Sequence, residues 1–143
     1  MSLTIQITNF SDTELSLWFK NSGITFNETL ENTPSDKLQP HSGMTKMAAS
    51  QNTVTWLGID IYSIQCGYHG GDLYFGIQCK ENAQVLGIGA SPEYSVSDGK
   101  GGWTKMDGSN PYVWTTPTLI ATATPTITHE NITVDVIVKN NKS

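Results

Sequence analysis

The stretch Thr55-Trp-Leu-Gly-Ile-Asp-Ile-Tyr-Ser-Ile-Gln-Cys66, followed by Gly-Tyr-His-Gly-Gly and then Asp72-Leu-Tyr-Phe-Gly-Ile-Gln-Cys79, decides the fold. It reads as two β-strands joined by a glycine-rich turn, because β-branched and aromatic residues alternate with polar ones on either side of it. With residues 67–71 as the loop, Cys66 faces Asp72 and Cys79 lies opposite Ile59. One face then carries Ile59, Ile61, Leu73, Phe75, Ile77 and Cys79, and the other carries Tyr62, Ile64 and Tyr74. The two sulfurs are far apart along this ladder, so Cys66 and Cys79 are expected to be free thiols.

The flanks continue the same pattern. Leu3, Ile5 and Ile7 alternate in a first strand ending at Asn9, and Asn9-Phe-Ser-Asp supplies turn chemistry. A second strand over residues 14–20 puts Leu15, Leu17 and Phe19 inward and Trp18 outward. Residues 21–46 are polar and irregular, broken by Pro34 and Pro40, with a tight turn at Gln39-Pro-His-Ser-Gly. Val85-Leu-Gly-Ile and Tyr94-Ser-Val are short strands, and residues 97–111 form a turn-rich excursion holding Trp103. Two short strands follow, separated by Pro117, and Ile132, Val134, Val136 and Val138 alternate in a closing strand as regular as the first, so the two are expected to pair. No stretch has helical periodicity of helix length. The expectation is an all-β fold: one antiparallel β-sandwich domain built from hairpins and spanning residues 1–143.

The chain has 143 residues, 37% hydrophobic and 15% charged, with a net charge of −5 and no arginine. A domain of this size can bury roughly two-thirds of its unfolded surface without staples. The acidic balance argues against nucleic acid, which needs a basic patch to displace counterions. No apolar run approaches the roughly 20 residues of a membrane-spanning helix. Met-Ser-Leu-Thr-Ile-Gln-Ile-Thr reads as a strand and not as a signal peptide. The expectation is synthesis in the cytoplasm, with any action outside the cell following release.

Catalytic patterns are lacking. His41, His69 and His129 each read as turn or loop residues, and none accompanies a nucleophile elbow. Gly99-Lys-Gly-Gly-Trp lacks phosphate-loop spacing. Asp98, Asp107 and Asn110 flank one glycine-rich loop and could offer oxygens to calcium, but turn chemistry explains them without a metal. The expectation is a protein without enzymatic activity, cofactor or metal.

The aromatics carry the functional signal. Trp103 sits in a glycine loop, Tyr94 precedes it, and Tyr112 and Trp114 follow Pro111. Such side chains suit a lipid–water boundary, a sugar face or a quaternary ammonium group. Trp18 and Trp56 read as sheet packing. The candidate ligand-binding residues are therefore Trp103, Trp114, Tyr112 and Tyr94, with Asp98, Asp107 and Asn110 available to bond hydroxyls.

The opening Thr4-Ile-Gln-Ile-Thr-Asn9, then Gly58-Ile-Asp-Ile-Tyr-Ser-Ile and Asp72-Leu-Tyr-Phe-Gly-Ile, resembles the aegerolysins and, more distantly, the actinoporin-like cytolysins. The resemblance covers residues 4–9 and 55–96. It implies a small β-sandwich that recognises membrane lipid, in some bacterial aegerolysins as one component of a two-part insecticidal toxin. Two departures stand out: no amphipathic N-terminal helix precedes the first strand, and Pro111-Tyr-Val only partly echoes the actinoporin head-group motif. The expected function is that of a membrane-lipid-binding, cytolysin-like protein or toxin component. Its expected partners are lipid head groups, with a second toxin protein or further copies of itself for any pore. The alternative is a carbohydrate-binding lectin using the same surface on glycans.

Overall fold

The structure, a computed structural model, describes residues 2–25, 28–51, 59–84, 92–99, 102–128 and 131–142, with the side chains of residues 59, 60 and 82–84 excepted. Trp56, His129 and the strand expected at residues 85–88 lie outside the described residues. Twelve strands and no helix are described. They are β1 (Ser2–Asn9), β2 (Leu15–Gly23), β3 (Glu28–Asn32), β4 (Lys37–Leu38), β5 (Gly43–Gln51), β6 (Ile59–Gly70), β7 (Leu73–Gln84), β8 (Glu93–Ser97), β9 (Thr104–Lys105), β10 (Tyr112–Thr115), β11 (Leu119–Ile127) and β12 (Asn131–Asn140).

They form a β-sandwich of two six-stranded sheets, one in the order β10-β11-β12-β1-β5-β3 and the other β4-β2-β6-β7-β8-β9. The second sheet is antiparallel throughout. The first is mixed, because β1 and β12 pair as expected but in parallel, from Ser2 with Asn131 to Asn9 with Val138. Alternation decides which faces meet. Leu3, Ile5 and Ile7 of β1 and Ile132, Val134, Val136 and Val138 of β12 are buried against Tyr62, Ile64, Phe75 and Ile77 of β6 and β7. Burial of this apolar area, at roughly 25 cal/mol per Å², is the main force holding the sheets together.

The central hairpin differs from the sequence reading in register. Gly70 pairs with Leu73, so the turn is the two residues Gly71 and Asp72, with Gly71 at a φ of 53°. Glycine reaches that left-handed region without the Cβ clash other residues suffer. Shortening the loop from five residues to two is an odd shift, and an odd shift turns one strand over. The inward residues of β6 are accordingly Tyr62, Ile64, Cys66 and Tyr68, while Ile61 is exposed. On β7 the expected stripe of Leu73, Phe75, Ile77 and Cys79 does face the core. Cys66 pairs with Ile77 and Cys79 with Ile64, which makes the cysteines diagonal neighbours on one face. Both are free, as expected, although the wide separation along the ladder on which that expectation rested is not found, and both are buried. A diagonal separation of about 7–8 Å exceeds the reach of a disulfide.

Three further differences have local causes. Residues 21–46 are not irregular throughout: β2 runs on to Gly23, and β3 and β4 form at sheet edges. A β-bulge between Leu17 and Phe19 inserts one extra residue, so Phe19 points outward rather than inward. Strand β11 passes through Pro125, which pairs with Val134 but lies beyond the end of the β10 ladder, where no neighbour needs its missing N–H. The expected turns at Asn9 and at residues 39–43 are present. The Asn9 side chain accepts from Ser11 N at 3.0 Å and donates to Thr13 O at 2.8 Å, and Gly43 N donates to Gln39 O at 3.0 Å.

Candidate functional site: an aromatic platform on the outer sheet

The outer face of the second sheet carries the distinctive surface. Gly67 of β6 and Gly76 of β7 pair across the ladder and leave a shallow trough. Phe19 fills it: a Cβ built on Gly67 would lie 2.5 Å from Phe19 Cε1, and one on Gly76 would lie 2.8 Å from Phe19 Cζ. Trp103 covers the same spot, its Cη2 3.4 Å from where a Gly76 Cβ would be. The rings meet edge to face, Phe19 with Trp103 at 5.8 Å and Phe19 with Trp18 at 4.9 Å. Trp18 meets Tyr74 edge-on at 5.5 Å, and Tyr74 stacks on His69 at 5.2 Å and 11°. Each edge-to-face pair contributes about 0.5–1.5 kcal/mol beyond the area it buries. The platform is thus braced from within, yet it remains open to solvent: Trp18 and Trp103 are each 38% exposed and Tyr74 45%.

Beside it, at Tyr74 and Gly99, opens a groove of about 320 Å³ lined by Asp72, Tyr74, Asp98, Tyr112, Trp114 and Thr116. Its floor is fixed by Asp72 in the β6–β7 turn, whose Oδ1 accepts from Thr116 Oγ1 at 2.5 Å and Thr118 Oγ1 at 2.7 Å. Those two hydroxyls hold the Asp72 carboxyl below its usual range. The contact ties the β6–β7 turn of one sheet to the β10–β11 turn of the other.

The seven candidate residues from the sequence are distributed over several places. Trp103 belongs to the platform. Asp98, Tyr112 and Trp114 line the groove. Trp114 is nevertheless a core residue, 5% exposed, packed on Phe75 at 5.4 Å, with Nε1 donating to Ser97 O at 3.1 Å. Tyr112 is half-buried against it at 4.8 Å. Tyr94 is buried on β8, its hydroxyl donating to the Asn110 carbonyl. The expectation of exposure is therefore corrected for Trp114 and Tyr94: inward positions on β10 and β8 bury both rings. Asp107 and Asn110 do not join Asp98. Asp98 follows β8, whereas Asp107 follows β9, which runs antiparallel beside β8. The two carboxylates thus sit at opposite ends of β8, about 15 Å apart along the strand. Among the described residues, no three His, Cys, Asp or Glu side chains gather as a metal site.

The sequence reading passed over Trp18, Phe19, Tyr74 and His69. His69 lies in β6 and not in a loop. His41 does occupy a turn, 3.2 Å from Asp12. The overlooked signal was the pair Gly67 and Gly76: a glycine inside a strand marks a place where another group approaches the backbone. No helix among the described residues is long and apolar enough to cross a membrane. No protein-family model matches the chain, and no curated protein matches it.

Proposed function

We propose that this protein is a binding protein without catalytic activity that docks on membrane lipid through Trp18, Phe19, Tyr74 and Trp103, as a cytolysin-like protein or toxin component. The observation that carries the reading is the platform itself. Four aromatic side chains share one outward sheet face, three of them more than a third exposed. A protein that leaves such a patch in water gives up hydrophobic stabilisation unless the patch meets a partner. Tryptophan and tyrosine suit the lipid–water boundary because each has an apolar body and a polar N–H or O–H. A net charge of −5 favours neutral or zwitterionic lipid over anionic lipid. On this reading any pore is formed together with a second protein or further copies of the chain.

The test is co-sedimentation with liposomes of varied composition, comparing the wild type with Trp18→Ala and Trp103→Ala. Composition-dependent binding that both variants lose is the expected result. Absence of binding to every liposome would overturn the reading.

A second reading, a lectin acting on soluble glycans, draws support from the groove, where Asp72 and Asp98 stand beside Tyr74. Carboxylates next to an aromatic face can bond the hydroxyls of a stacked sugar ring. Inhibition by simple sugars in the absence of lipid would favour it.

A further inference from the structure

The aromatic platform is continued along the same sheet face by a row of uncharged hydrogen-bonding side chains. Asn21 of β2 pairs with Gln65 of β6, Gln65 with Gln78 of β7, and Gln78 with Ser95 of β8. All four lie on the outward side: Gln65, Gln78 and Ser95 alternate with the buried Cys66, Ile77 and Val96, and Asn21 stands opposite Gln65. The row is two residues from the Gly67–Gly76 trough, or about 7 Å along the strands. Between Asn21, Ser22, Gly23, Ser63, Gln65 and Gln78 lies a hollow of about 300 Å³ without an ionic group in its lining.

The two glutamines are bonded head to tail, Gln78 Nε2 donating to Gln65 Oε1 at 3.1 Å. Whichever way the two amides are turned, such a pair leaves one NH2 group and one carbonyl without a partner among the described residues. Both side chains are half-buried, so their rotamers are restricted by the sheet while their free ends face solvent. A donor and an acceptor held side by side complement two adjacent hydroxyls, because each hydroxyl can both give and take a proton. The lining of the hollow holds no cation, and the lysines nearest to it on this face, Lys80 opposite Ser63 and Lys105 opposite Ser95, both stand beside the Glu93 carboxylate, so a phosphate or carboxylate is poorly matched, while an alkyl chain would leave the amides unsatisfied. The chemistry that fits is a neutral polyol ring. An aromatic ring one repeat away offers the flat surface on which the apolar face of the same sugar, or of the next one, can lie.

We infer that the amide row over Gln65 and Gln78 reads a neutral sugar, and that the lipid recognised by this face is a neutral glycolipid. The inference rests on the docking reading given above and specifies its head group. The platform supplies contact with the lipid–water boundary, and the amide row selects the sugar carried at that boundary. Continuity of the two surfaces on one sheet face argues for the membrane-borne sugar over a free one.

The experiment compares phosphatidylcholine vesicles with vesicles that also contain a monohexosylceramide, using the wild type, Gln65→Ala with Gln78→Ala, and Trp103→Ala, each checked for an unchanged thermal transition. The expected result is tighter binding to glycolipid vesicles. The double glutamine variant should lose that preference by roughly tenfold, as expected for two lost hydrogen bonds, while binding plain vesicles as before. Trp103→Ala should weaken binding to both kinds of vesicle. Equal wild-type binding to plain and glycolipid vesicles would overturn the inference and leave docking standing. Absence of binding to either vesicle would overturn both. Retention of the wild protein on an immobilised hexose, with no gain from vesicles bearing the same sugar, would overturn the membrane source and favour a soluble glycan.

Discussion

Adding a single methyl group at Gly76 tests the platform without removing any of its rings. Gly76 does not have a left-handed φ, so alanine is conformationally allowed there. Its Cβ would meet Phe19 Cζ at 2.8 Å, Phe19 Cε1 at 3.1 Å and Trp103 Cη2 at 3.4 Å. All three are ring atoms of side chains and not backbone, and Phe19 must lift by about half an ångström to restore van der Waals contact. Overpacking costs about 1 kcal/mol when the neighbour can move. The reduced freedom of the unfolded chain offsets about 0.4–1 kcal/mol of that. Gly76→Ala should therefore shift Tm by only about 3 °C or less. It should also disturb the Phe19–Trp103 contact, weaken vesicle binding about two- to tenfold, and alter the near-ultraviolet circular dichroism of the tryptophans.

Gly67→Ala is the control that separates ring contact from backbone contact. Its Cβ would lie 2.5 Å from Phe19 Cε1 and also 2.7 Å from the Phe75 carbonyl oxygen. The second neighbour belongs to the β6–β7 ladder and cannot retreat without loss of strand hydrogen bonds. The expected cost is about 2–3 kcal/mol, or about 10 °C in Tm. Differential scanning calorimetry with co-sedimentation reads both variants. Full vesicle binding and an unchanged aromatic spectrum for Gly76→Ala would refute the argument, as would a Gly67→Ala protein as stable as Gly76→Ala.

Three other perturbations probe different parts of the molecule. Trp114→Ala empties a core site against Phe75 and should cost about 3–5 kcal/mol in urea unfolding, whereas Trp18→Ala and Trp103→Ala should reduce binding far more than stability. Burial pushes the Cys66 thiol from 9.0 up to about 12 and moves Cys79 in the same direction, so neither should react with thiol reagents in the native protein. The folded state keeps these protons after the unfolded chain has released them. Their contribution is therefore full below pH 9.0 and falls as pH rises toward 12, by on the order of 1 kcal/mol per pH unit for each thiol. Urea midpoints across that range should decline more gently in Cys66→Ala. Asp72 has the opposite sign: its carboxyl is lowered, so its contribution is present above the ordinary carboxylate range and is lost as pH falls through the lowered value. The stability gap between wild type and Asp72→Ala, measured by urea unfolding, should close in acid.

Regular alternation made much of the fold legible. The inward residues of β1, β7 and β12 could be assigned from the chain because one buried face leaves a period of two in the sequence. The register of β6 could not, since Gly67, Gly70 and Gly71 all read as loop and only the turn length separates the alternatives. A glycine kept for a ring to lie on and a glycine kept for a turn look alike in a sequence. The bulge at Trp18 has no sequence marker either, yet it brings Phe19 to the outer face and so builds the platform. Trp103 was recognisable because its loop offers no strand partner. Trp114 misled because a place just after Pro111 reads as the flank of a loop, while its pairing opposite Ala121 on β11 turns the ring into the core.

The parallel pairing of β1 with β12 also sets an order of assembly. Ser2 Oγ donates to Asn131 Oδ1 across 129 positions of the chain, and β1 occupies an interior place between β12 and β5. A ribosome delivers β1 well before β12. Throughout synthesis one edge of β1 has no neighbour, and the first sheet remains divided into β3–β5–β1 on one side and β10–β11 on the other. Contacts so distant in sequence make for slow folding and a long exposure of unpaired edge. The second sheet, whose strands β6, β7 and β8 are consecutive, has no such delay. The aromatic face can therefore be in place on the nascent chain before the sandwich that supports it has closed.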